Sequence, residues 1–153
     1  MADQDTSAAS ICARIEESWQ SWQEVLARMP TDRLADAPVC DEWTVTDLMG
    51  HVAVWDAVAV EKIREVQLGT PWKRVATDER NAREAAARSS RSPTEQREEM
   101  VSTHDQLLTS LDDAATLPPE SLERISDVIA EDTWVHYDDH AAEVRRWLER
   151  NAG

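Results

Sequence analysis

The chain has 153 residues, enough for one ordinary domain that buries a hydrophobic core of its own. Sixteen basic side chains against thirty-one acidic ones leave a formal charge of -15, which repels phosphate backbones and anionic lipid and favours cations, so no nucleic-acid or membrane partner is expected. Three glycines, no phenylalanine and seven tryptophans, set among many Ala, Glu and Arg, point to an all-α protein whose core uses tryptophan as its large filler.

Taken in chain order, Ile11, Ile15, Trp19, Trp22, Leu26 and Met29 recur at three- and four-residue steps, which predicts a first helix from about Ser7 to Met29 that Pro30 stops. Residues 30 to 43, PTDRLADAPVCDEW, read as a loop with short turns. Thr44 and Asp47 then form a short version of the capping box. The helix they open carries Leu48, Val52, Trp55, Ala59, Ile63 and Val66 as its buried stripe. LGTP closes it, because Gly69 tolerates the left-handed turn and Pro71 cannot continue the helix. The connection from Thr70 to Arg91 is long for neighbouring antiparallel helices and predicts a crossover with a helical piece near Asp78 to Arg88.

Ser92-Pro93-Thr94-Glu95 places cap, first-turn proline and acid in register for a third long helix with Met100, His104, Leu107, Leu108 and Leu111 on one face, ending before LPP at 117 to 119. A last helix, starting between Glu120 and Asp127 and breaking near Ser126, puts Ile129, Thr133, His136, Tyr137, His140, Val144, Trp147 and Leu148 on one face. The expected architecture is a four-helix bundle in a single domain over residues 1-153, with a short flexible N-terminus, a frayed polar tail and a long crossover between the second and third long helices.

Cys12 and Cys40 form no close Cys-x-x-Cys pair, so a cysteine-rich zinc knuckle is excluded and a reducing compartment is expected. MADQDTSAAS lacks the basic and apolar regions of a signal peptide, and VAVWDAVAV is short and carries Asp56. A cytoplasmic protein is the expectation.

His136 and His140 stand one helical turn apart on the apolar stripe. An unpaired imidazole buried there costs free energy unless it finds a donor, an acceptor or a metal, and neutral imidazole is a good ligand for zinc, nickel or iron. Two exposed histidines would give the same spacing, so the pair needs a third ligand. His51 lies beside Leu48 and Trp55 at the edge of its stripe, and His104 lies among Met100, Leu107 and Leu108. Periodicity does not separate the two, although His104 reads first as a core histidine bonded to a carbonyl or lining a pocket.

DEWTVTDLMGHVAVWD at 41 to 56 and TWVHYDDHAAEVRRWL at 133 to 148 resemble the DinB/YfiT-like family, which includes the N-terminal domains of mycothiol-dependent maleylpyruvate isomerases. The shared pattern is a tryptophan and helix cap, a histidine soon followed by tryptophan, and much later two histidines four residues apart. Carried over residue by residue, the resemblance implies His51, His136 and His140 as ligands of one divalent metal, zinc or nickel, with open positions filled by water. It also implies a helical bundle, commonly dimeric, that moves groups to or from a low-molecular-weight thiol such as mycothiol or bacillithiol. Some members have no known reaction.

Three neutral imidazoles would leave the ion its full charge and at least one exchangeable position. Such a site could activate water for hydrolysis or take a substrate thiol as thiolate for attack on an electrophilic carbon. The resemblance favours a thiol-dependent transferase or detoxifying enzyme acting on a small electrophile. A metal-dependent hydrolase and a non-catalytic, metal-stabilised binding or stress protein stay open. Asp132, Asp139 and Glu143 lie within a turn of the histidines and could orient an imidazole N-H, against the plainer reading of a solvated acidic face. Tyr137 could donate a hydroxyl proton or simply fill core. Tyr137 and Asp132 are therefore the candidate acid-base groups. Cys40 reads as a free, half-buried thiol in the loop before Trp43, and Cys12 as packing, so a thiol reaction would borrow its thiol. Trp19, Trp22, Trp55 and Trp147 read as core, with Trp43 and Trp134 better placed to line a pocket or subunit contact.

Overall fold

In the computed structural model, which describes residues 6–36, 38–70 and 77–152, helix is the dominant structure. Helix α1 spans Ala8–Arg28, α2 Val45–Leu68, α3 Thr77–Arg88, α4 Pro93–Asp113, α5 Pro119–Ile129 and α6 Trp134–Arg150. A short two-stranded antiparallel hairpin, β1 (Pro38–Cys40) and β2 (Trp43–Thr44), precedes α2, and a single 3-10 turn covers Thr31–Arg33.

The local stop and start signals account for most of these boundaries. Ser7, Thr44 and Ser92 each accept a hydrogen bond from the backbone amide three residues on, and the side chain at that third position answers to the cap's own amide. Each such reciprocal cap satisfies two of the amides that a helix start leaves open and contributes about 1 kcal/mol. Gly69 ends α2 with φ 70°, the left-handed conformation in which a side chain would be strained. Pro71 and the rest of the first part of the expected crossover, residues 71–76, lie outside the described residues, as does the N-terminal tail to Asp5.

The core is continuous. Helix α4 packs along α2, α1 along α6, and α5 closes on α2. Ile15, Trp22, Leu48, Ile63, Met100 and Leu107 are among the fully enclosed side chains, and the Trp22 indole N-H points at the Met100 sulfur at 3.2 Å. Trp19 and Trp147 are buried as expected, whereas Trp55 is half-buried and donates its indole N-H to Asn81 of α3 at 2.9 Å. Gly50 leaves room on α2 for a side chain of α4: a Cβ there would fall 2.4 Å from Gln96 Nε2 and 2.8 Å from Gln96 Cδ. Helix α3 buries none of its residues and is tied to the rest by Trp55 of α2, which donates to its Asn81, and by its own Arg88, which forms an ion pair with Glu99 of α4.

Two features depart from the sequence-based expectation. The helix break falls at 130–133 rather than near Ser126. There the Ile129 carbonyl accepts from the amides of Asp132 and Thr133 and from the Thr133 hydroxyl at 2.8 Å, an arrangement that competes with helix continuation. The buried Asp132 carboxylate also reaches across to Lys62 of α2 at 2.6 Å. That ion pair joins residues 70 positions apart, so local pattern carries no trace of it. The second departure is the hairpin inside the expected loop. Asp41 takes a positive φ of 52°, which aspartate tolerates better than most residues, and so turns the chain within two residues.

Candidate metal centre

The hairpin and two helices build the site. Thr44 sets the start of α2, so His51 leaves its second turn toward α6, where His136 and His140 project from successive turns. Ligand-capable atoms of His51, His136 and His140 all lie within 4.8 Å of one another. Ring centroids are 4.6 Å apart for His51 and His136, 5.2 Å for His51 and His140, and 4.5 Å for His136 and His140. The Nε2 atoms of His136 and His140 face each other at 2.9 Å. Two nitrogens so placed either share one proton or aim two lone pairs at one cation.

Burial, then repulsion from His140, lowers the His51 pKa to about 3, with Glu143 opposing the shift. Burial followed by repulsion from His140 and His51 pushes His136 well below its ordinary value. Both rings are therefore neutral at pH 7, the form in which imidazole binds metals. Glu143 meets His140 Nδ1 at 2.7 Å. Although its burial works the other way, the hydrogen bonds from His140 and Cys40 keep Glu143 below the usual carboxyl range. An anionic acceptor there fixes a proton on Nδ1 and leaves the Nε2 lone pair facing the other two rings. His136 Nδ1 is turned toward the Asp132 backbone one turn earlier, without a hydrogen bond of normal geometry.

The donor set suits a borderline divalent ion. A tetrahedral site with ligands at roughly 2.0–2.1 Å holds its donor atoms about 3.3 Å apart; here one pair stands at 2.9 Å and all three within 4.8 Å. Trp43 of β2 stands edge-on to His51 at 4.6 Å and, with His51, Val54, Asn81, Arg88 and Gln96, lines a shallow cavity beside the cluster. Cys40 of β1, the strand partner of Trp43, lies within 4.8 Å of ligand atoms of His140 and Glu143. Burial and the Glu143 carboxylate push its thiol up to about 12, so Cys40 is protonated at neutral pH and unsuited to act as a nucleophile.

Other residues singled out from the sequence stand apart from the three histidines. The Tyr137 hydroxyl is fully enclosed and donates to Asp56 Oδ1 at 2.6 Å, with His104 Nδ1 at 3.4 Å. Asp132 is engaged by Lys62. His104 stacks on Trp19 with centroids 3.7 Å apart and meets Glu16 at 2.6 Å, a carboxylate where a backbone carbonyl was expected. Trp134 is half-buried under the Arg14 guanidinium.

Asp56 and Glu16 escaped sequence reasoning. The only signal for Asp56 was an acid standing on the buried stripe between Val52 and Ala59. Burial holds it well above the usual carboxyl range, against the Tyr137 hydrogen bond, and its Oδ2 has no partner among the described residues.

The family profile of the DinB superfamily matches residues 14–137, more than half of the chain. The chain belongs to the DinB superfamily. Members usually bind metal, and the match takes in His51 and His136 and stops short of His140. No curated protein and no solved structure gives a significant match. No helix among the described residues of this DinB-superfamily protein is long and apolar enough to cross a membrane.

Proposed function

We propose that this protein is a divalent-metal enzyme in which His51, His136 and His140 hold one zinc or nickel ion, and that it transfers a group between a low-molecular-weight thiol and a small electrophile. The observation that carries the reading is the convergence of three imidazoles from two helices within 4.8 Å, two of them driven neutral by burial. When bound, such an ion supplies a Lewis acid that lowers the pKa of a protic donor at its open position.

The chain's own residues position and exclude. Glu143 keeps the His140 Nδ1 proton in place, and Trp43 packs against His51 and walls the cavity beside it. Tyr137 of α6 and Asp132 of the turn that leads into it, the acid-base candidates of the sequence, enter the proposal as supports: their bonds to Asp56 and Lys62 of α2 tie the two ligand-bearing helices together. Because the Cys40 thiol keeps its proton and Cys12 is likewise raised by burial, a reacting thiolate is borrowed from a cosubstrate.

The reading takes α1, α2, α4 and α6 as the four long helices of one bundle, residues 70–91 as its crossover, a homodimer as the assembly and the cytoplasm as the compartment. Protein purified without added metal should hold about one zinc or nickel ion per chain by elemental analysis, largely lost in His136→Ala, because one of three protein ligands disappears. A metal-free wild type sinks the metal centre. Turnover of an aryl-halide electrophile that persists after every low-molecular-weight thiol is removed sinks the transferase and points to hydrolysis.

A further inference from the structure

His140 faces two donor sets. Its Nε2 lies toward His136 and His51, and its Nδ1 lies toward Glu143, with Cys40 in the same group. From the second set we infer another metal position: Cys40, His140 Nδ1 and Glu143 form a site for a thiophilic cation such as cadmium or copper(I), exclusive of the three-histidine site because both need His140. The new position shares only that residue with the proposed centre and does not require it to be loaded.

Several observations support it. The Sγ of Cys40 and ligand atoms of His140 and Glu143 lie within 4.8 Å of one another, and Cys40 is a free thiol held by the β1–β2 hairpin, whose first strand packs on α6. A thiolate and a carboxylate carry two negative charges, where the three imidazoles carry none, and a soft ion prefers the sulfur-containing set. The swapped His140 tautomer is also provided for: with its proton on Nε2, the ring donates to His136 Nε2 at 2.9 Å, a hydrogen-bond distance.

On binding, the Cys40 S-H bond breaks and a metal-sulfur bond forms, with one proton released to the buffer. The His140 proton moves from Nδ1 to Nε2, and Glu143 exchanges the N-H it accepted for the cation. No redox change occurs. A neutral His140 ring offers one lone pair at a time, so occupation of one position excludes the other.

Cadmium titration of the metal-free protein, followed by thiolate-to-cadmium charge-transfer absorbance, tests the site. In a His51→Ala/His136→Ala variant, whose helicity is checked by circular dichroism, one equivalent of cadmium should still bind with the band present. In the otherwise wild-type chain, Cys40→Ser should abolish the band and weaken cadmium binding at least tenfold, and Cys12→Ser should leave both unchanged. Wild-type protein carrying nickel should give up that nickel as the cadmium band grows. A double variant that folds but shows no band, or a band that survives Cys40→Ser and vanishes in Cys12→Ser, overturns the assignment. Nickel retained alongside a full cadmium band overturns the exclusivity. Failure of the wild type to take up nickel or zinc sinks the three-histidine reading and leaves this one standing.

Discussion

Replacing Asp56 with Asn should change how stability depends on pH, in a direction the structure dictates. Asp56 is 0% exposed, accepts the Tyr137 hydroxyl at 2.6 Å, and is held well above the usual carboxyl range, chiefly by burial. In the unfolded chain the same carboxyl titrates near its ordinary value of about 3.9. Between that value and the raised native pKa, the folded state holds a proton that the unfolded state has lost. Stability from this residue is therefore complete below the unfolded pKa, declines by about 1.4 kcal/mol for each pH unit through the window, and levels off above the native pKa. Asparagine does not titrate. Its carbonyl still accepts from Tyr137, and its amide puts an extra donor where Asp56 Oδ2 has no partner, a cost of about 1 kcal/mol.

Asp56→Asn should thus be about 1 kcal/mol less stable than wild type near pH 4 and gain on it steadily as pH rises, overtaking it within about one unit. Urea melts followed by tryptophan fluorescence at half-unit steps check this, since every other titrating group is common to both chains and drops out of the difference. A difference that does not vary with pH would refute the claim that burial governs this carboxyl.

Glu143→Gln should weaken zinc or nickel binding by roughly 10- to 100-fold, because a neutral amide replaces the anion that holds the His140 Nδ1 proton; competition with a chromophoric chelator measures it. Gly50→Ala should cost about 1 kcal/mol net in denaturant melts, the displacement of buried Gln96 outweighing the helix propensity gained, and should lower metal affinity through the neighbouring His51. Trp22→Ala should destabilise by about 3–5 kcal/mol, since a fully enclosed indole and its contact with Met100 are lost; thermal melts that shift by only a degree or two would contradict that packing.

The elements legible in the sequence are those whose causes are local. Ser7, Thr44 and Ser92 cap within three residues, Gly69 answers a turn at its own position, and the stripes of α1, α2 and α4 repeat every three or four residues. The spacing of His136 and His140 was legible for the same reason, because a helix sets their common direction. Family resemblance, rather than periodicity, separated His51 from His104.

Only the tertiary structure decided the rest. The ion pair of Asp132 with Lys62, which ties the 130–133 break to α2, joins residues 70 positions apart, and the turn at Asp41 brings Cys40 beside His140 and Trp43 against His51. Glu143 and Asp139 looked equivalent on paper, yet one touches His140 and the other is exposed. The linked side chains of Asp56, Tyr137, His104 and Glu16 come from four different helices. Periodicity reports which face of a helix is apolar. The depth of an acid within that face, and the side chain waiting opposite, are set by how the helices pack, and so is the protonation of every group that the proposed chemistry uses.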